Sequence, residues 1–117
     1  MPDRAFAAGA VLYGLEQIIE SRKDKLPDGS YVTQLLLGGS ARIKAKVDEE
    51  AEELIVAVGE ASPACAANTI HEAADLLFHT LVLFGWAGVS LVDVEAELSR
   101  RFGTSGLLEK SLRGENC

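Results

Sequence analysis

Residues 41–59 read ARIKAKVDEEAEELIVAVG, and residues 71–84 read HEAADLLFHTLVLF. In the first stretch Ile43, Val47, Ala51, Leu54 and Val58 recur at helical spacing and form an apolar stripe. At about 100° per residue, Glu50 lies roughly 60° from the centre of that stripe, Lys46 roughly 100° and Glu53 roughly 120°. Lys46, Glu50, Glu53 and Ala57 therefore make a second row, half-buried once a neighbouring helix covers it, while Glu49 and Glu52 point further out. In the second stretch Glu72 and Asp75 share a face with Leu76, His79, Val82 and Leu83, almost opposite a stripe of Ala66, Ile70, Ala74, Leu77, Leu81 and Phe84. Downstream of Asp75 the pattern is apolar nearly all round, which predicts a helix buried on more than one side.

A turn-like segment separates the two stretches, so they can fold back as an antiparallel helix pair. Glu50 and Glu53 on one helix then meet Glu72 and Asp75 on the other. Four carboxylates that close repel one another, and on a buried helix they are costly unless a cation sits among them. Hard oxygen donors suit Mg²⁺ or Mn²⁺, ions that usually come with a phosphate substrate. Two such ions roughly 3.5–4 Å apart could clamp both sides of a phosphoanhydride. The plainer alternative is surface charge on amphipathic helices.

Working outward, the chain reads as all-α, with five helices and no sheet. The first runs from about Arg4 to Lys23 and is broken by Lys25-Leu26-Pro27-Asp28-Gly29. Ser30 caps a short second helix, Tyr31 to Leu37, which Gly38-Gly39 ends. Ser40 caps the third, Ala41 to Gly59. Ser62-Pro63 opens the fourth, which reaches about Trp86. Ser90 caps the fifth, with Asp93 approximating a capping box, and it ends near Phe102-Gly103. Residues 103–117 form a polar, Gly-rich tail. The 117 residues make a single domain, and 48% apolar content suffices for a core and an oligomer interface. A four-helix-type bundle completed by homodimerisation is the expected architecture, because so apolar a fourth helix needs a partner to cover both faces.

The net charge of −7 argues against a nucleic-acid binder, which shows a basic stripe. Cys65 and Cys117 lie far apart with no CxxC, as free thiols of a reducing cytosol do. The opening residues carry Asp3, Arg4 and Glu16, unlike a secretory leader, and no apolar run reaches the roughly 20 residues of a membrane span. A soluble, cytoplasmic protein is expected.

Other residues have two readings each. Lys46 could reach a phosphate oxygen or pair with Glu50 one turn on. His79 could orient substrate, bond a carboxylate, or be a satisfied core residue; His71 has little to recommend it. Glu49 could hold a second ion or take a proton from water, and Glu52 looks solvated. Arg100, Arg101, Lys110 and Arg113 could grip phosphates across a subunit boundary or form a solvated basic face. No GxSxG, P-loop or GxGxxG is present.

The pattern EExxE followed by ExxD on an all-α chain resembles the all-α nucleotide pyrophosphohydrolase (MazG-like) superfamily. The flanking segments SYVTQLL, AADLLFH and GTSGLLEK resemble, more closely, the phosphoribosyl-ATP pyrophosphatase family of histidine biosynthesis. The likeness covers nearly the whole chain. It implies a Mg²⁺-dependent homodimeric hydrolase that converts phosphoribosyl-ATP to phosphoribosyl-AMP and pyrophosphate. It also implies that Glu50, Glu53, Glu72 and Asp75 bind metal, that Glu49 is the additional motif acid, and that Lys46 holds the basic position before the motif. Either Glu49 or Glu53 would take the water's proton. Asp48 and His71 depart from the family pattern, where a small residue and Asn are more usual. Two alternatives stand beside this reading: a house-cleaning nucleoside triphosphate pyrophosphatase, and a non-catalytic helical dimer that binds a cation.

Overall fold

The structure, a computed structural model, describes residues 9–59 and 63–103, without the side chains of residues 63–65. The expected start of the first helix at Arg4, the Ser62 cap, Cys65, Lys110, Arg113 and the tail beyond Gly103 lie outside what it describes. Among the described residues there are four helices and no strand: α1 (Ala10–Lys25), α2 (Tyr31–Val58), α3 (Pro63–Ala87) and α4 (Leu91–Phe102).

α1 stops where the chain reads Leu-Pro. Proline disfavours helix in the residue before it, and Leu26 takes a left-handed conformation whose N–H donates to the Arg22 carbonyl at 2.8 Å. The Ser30 hydroxyl accepts from the Thr33 N–H at 3.3 Å and starts α2. α2 spans the expected second and third helices as two arms joined at a kink, and the break expected at Gly38-Gly39 falls at Gly39. Only Gly39 (φ 82°, ψ 177°) leaves helical geometry inside α2. That backbone region is essentially open to glycine alone, so one residue kinks the helix without ending it.

The core is Ile19, Val32, Leu35, Ile43, Leu81, Val82 and Leu91. α2 and α3 make the main pairing, and α1 packs chiefly on α3. The α1–α3 approach is close at Gly85, where an added Cβ would come within 2.7 Å of Ile19 Cγ2. α4 touches the rest least. Ser90 caps it through the Val92 N–H, the Glu16 carboxylate accepts from the Leu91 N–H at 2.7 Å, and the Tyr13 hydroxyl donates to Glu95.

Downstream of Asp75, where α3 is expected to be buried on more than one side, this holds for Leu81 and Val82 but not for Leu77, and upstream the helix is more open still. Leu81 and Val82 are enclosed, but Ile70 and Leu77 are 70% and 50% exposed. α1 covers α3 around Gly85, where Ile19 and Lys23 approach it. Ile55, Val56 and Val58 at the end of α2 are also exposed. The radius of gyration, 17.2 Å, exceeds the roughly 13 Å of a compact domain of about 100 residues. No single described helix is long and apolar enough to cross a membrane.

Candidate metal centre

Side-chain contacts give the direction of the α2–α3 pair. Glu50 lies against His79, and Glu53 lies against Glu72, so the helices run antiparallel with the acidic residues at their seam. Glu50 sits deepest. Its side chain is 7% exposed, against 40% for Asp75. This reverses the expectation that the α3 carboxylates are the buried ones: Glu72 and Asp75 flank the seam, Glu50 occupies it, and Glu53 opens to solvent.

One oxygen of Glu50 faces two nitrogens, with Lys46 Nζ at 3.7 Å and His79 Nδ1 at 3.9 Å. The other, Oε2, is buried without a hydrogen-bond partner, and so is Glu72 Oε2. Carboxylate oxygens of Glu50, Glu53 and Glu72 all lie within 4.8 Å of one another. A second trio, His71, Glu72 and Asp75, meets the same limit, with His71 Nε2 3.3 Å from Asp75 Oδ2. Burial pushes the Glu50 carboxyl above its ordinary pKa, and the Glu53 and Asp75 charges push it further; His79 and Lys46 only partly offset this. The Glu53 carboxylate, which can accept a hydrogen bond only from a protonated Glu72, raises Glu72, and burial adds to it. Burial pulls the Lys46 ammonium down, but Glu49, 3.4 Å away, more than compensates and leaves it above its ordinary value.

Two buried acceptor oxygens with no donor, in a cluster that resists ionisation, fit an oxygen-preferring divalent cation. Such an ion would supply both missing partners and offset the repulsion. Beside the trio a cleft of about 420 Å³ is lined by Glu49, Glu52, Glu53, Val56, Asn68 and Glu72. Glu52, expected to be merely solvated, stands on its wall.

Some expected residues fall elsewhere. Arg101 is not brought to the acidic seam of its own chain; it pairs with Glu97 at 2.8 Å and lines a separate cleft with Val89 and Leu98. His79 is buried, with both ring nitrogens engaged: Nδ1 lies 2.8 Å from the Asp75 carbonyl and Nε2 2.9 Å from the Tyr31 hydroxyl. His71, dismissed on sequence, partners Asp75 at the i,i+4 spacing that could have flagged it. Asn68, one turn before Glu72, was missed although the same spacing places it on the cleft. Tyr31 was missed as well, and no local spacing links it to His79.

Comparison with known proteins agrees with this geometry. The family model described as phosphoribosyl-ATP pyrophosphohydrolase matches residues 12–102. A Rhodopirellula baltica protein named phosphoribosyl-ATP pyrophosphatase is 48% identical over 95 residues, 81% of this chain and 79% of the relative. Proteins of the same name from Geobacter sulfurreducens and Hydrogenovibrio crunogenus are 45% and 41% identical, covering 90% and 91% of this chain and 94% and 95% of their own. With residues 12–102 matched and relatives of this identity spanning most of its length, the chain belongs to the phosphoribosyl-ATP pyrophosphohydrolase family.

Proposed function

We propose that this chain hydrolyses phosphoribosyl-ATP to phosphoribosyl-AMP and pyrophosphate in a Mg²⁺-dependent reaction, the second step of histidine biosynthesis. The observation that carries the reading is the Glu50–Glu53–Glu72 trio with its two unpartnered buried oxygens, in a chain of this family. Glu50, Glu53, Glu72 and Asp75 are the residues that would hold Mg²⁺, with Mn²⁺ as a substitute. Bound there, the ion supplies charge neutralisation at the triphosphate.

The protein's own groups do the rest. Lys46, beside Glu49 and Glu50, takes a phosphate oxygen. A water attacks the α-phosphorus; its oxygen forms the new bond as the α–β bridge bond breaks, and pyrophosphate leaves with the bridging electron pair. Glu49, which lines the cleft outside the trio, or Glu53 within it takes the water's proton. No covalent intermediate is needed.

The working form is a homodimer in the cytoplasm. Ile55, Val56, Ile70 and Leu77, exposed on the α2–α3 pair, supply the apolar surface that a second copy would cover. Arg101 and Lys110 then reach the substrate phosphates from the partner. Glu50→Gln and Asp75→Asn test the assignment. Each abolishes turnover while circular dichroism retains the helical signal; full activity in both would falsify the metal-shell assignment.

A further inference from the structure

Tyr31 and His79 are 48 residues apart in sequence, yet the hydroxyl of one lies 2.9 Å from the ring of the other. The kink at Gly39 makes this possible by redirecting the first arm of α2. The protons in this contact can be placed from donor chemistry. The Asp75 carbonyl can only accept, so the His79 Nδ1, 2.8 Å away, carries hydrogen. In the neutral ring Nε2 is then an acceptor, and the Tyr31 hydroxyl donates to it. That hydrogen is committed to the Asp75 carbonyl, and Glu50 Oε1 lies against the same edge of the ring, 3.9 Å from Nδ1, a packing contact rather than a hydrogen bond. The chain of contacts therefore runs from Tyr31 through His79 to the deepest carboxylate of the site. Phe78 holds the brace from the side, stacked on Tyr31 with ring centroids 6.0 Å apart and meeting His79 edge-on at 5.0 Å.

The result is an asymmetric Glu50. Oε1 lies against the His79 ring and 3.7 Å from the Lys46 ammonium, and Oε2 is left without a partner. We propose that Tyr31 is a positioning residue for the acidic site: through His79 it fixes the Glu50 carboxylate so that Oε2 is presented to a divalent ion. This rests on the metal reading above and extends it to a residue outside both acidic motifs. Tyr31→Phe is the informative change. It keeps the ring and its stacking on Phe78 and removes only the donor that orients His79. Partners behind a metal-binding side chain typically set affinity by about 10–100-fold. Tyr31 acts through one further residue, so the low end of that range applies.

The test is Mn²⁺ binding by calorimetry to the full-length wild type, Tyr31→Phe and Glu50→Gln, each also melted in chelator. Wild type is expected to bind, Glu50→Gln to lose binding, and folded Tyr31→Phe to bind about tenfold more weakly, with turnover recovering at high Mg²⁺. If Tyr31 only supports the fold, the variant's melting temperature in chelator falls but its Mn²⁺ affinity stays within about threefold of wild type; that result overturns the proposal and leaves the metal site standing. A wild type that binds no Mn²⁺ overturns the metal reading itself, and the role of Tyr31 with it.

Discussion

Glu50→Gln should move stability in opposite directions with and without metal. Glu50 is 5% exposed, its Oε2 lacks a donor, and its oxygens lie within 4.8 Å of Glu53 and Glu72. A like-charge pair at that distance costs roughly 3 kcal/mol at an effective dielectric of about 20 and about 1 kcal/mol in bulk water. Glu53 is exposed, so the Glu50–Glu53 repulsion lies toward the lower figure. Lys46 at 3.7 Å gives an attraction of similar size, but it is shared with Glu49. Attraction and repulsion nearly cancel, which leaves burial to decide, and burial opposes the charge. Glutamine removes the charge and gives its neighbours an N–H donor. The metal-free variant should therefore be more stable than wild type by about 1–2 kcal/mol, or about 3–10 °C in melting temperature for a chain of this length. With Mg²⁺ at about 100 times its Kd, wild type gains about 2.7 kcal/mol and the variant gains nothing, so the order reverses. Differential scanning calorimetry in chelator and in Mg²⁺ reads both arms. A variant that melts below wild type in chelator and keeps the full Mg²⁺ shift would refute the placement of the cation at Glu50.

Three further outcomes follow from the same structure. Glu50 and Glu72 both have folded-state pKa values raised above 4.5, so the stability they contribute when protonated is lost as pH rises above 4.5 through the raised values. In chelator the melting temperature should fall as pH rises through this window, and Mg²⁺ should flatten the slope; a melting temperature that rises with pH in chelator contradicts the shifts. Gly85→Ala sets overpacking of about 1–3 kcal/mol against a helix-propensity gain of up to about 1 kcal/mol, because the new Cβ meets Ile19 Cγ2 at 2.7 Å. A net loss near 1 kcal/mol is expected by urea unfolding, smaller in the Ile19→Leu background, which lacks that methyl; additivity of the two changes would show that this contact is not the cause. Gly39→Ala should cost about 1–3 kcal/mol from its backbone conformation alone. Gly38→Ala meets the Arg42 side chain, most closely at its flexible Cδ, and keeps helical geometry, so it should cost less than Gly39→Ala; equal losses at the two glycines would contradict the kink.

The helical pair and its acidic seam were readable because both rest on local periodicity. Spacing alone puts Glu50 with Glu53 and Glu72 with Asp75, and a short connection makes the helices antiparallel. Depth was less readable. Periodicity makes residues 71–84 look enclosed, whereas enclosure depends on where α1 crosses, which is set at Gly85 and Ile19. Consequently Glu50, beside the apolar stripe of its helix rather than within it, is the buried carboxylate. Gly38-Gly39 reads as the break between two helices, and Gly39 is where helical geometry is lost; that the interruption is a single residue wide is a matter of tertiary support. The kink in turn brings Tyr31 to His79, and no spacing rule spans 48 residues. Charge alone suggests Arg101 as a phosphate ligand across a subunit boundary; within its own chain it pairs with Glu97 at i−4, so that role rests on a second copy.

The most direct test is pyrophosphate release with Mg²⁺ from phosphoribosyl-ATP, measured beside ATP, dUTP and dCTP. The account predicts strong preference for phosphoribosyl-ATP, lost when chelator is added. Comparable or faster release from a simple nucleotide, or release that persists in chelator, would contradict it.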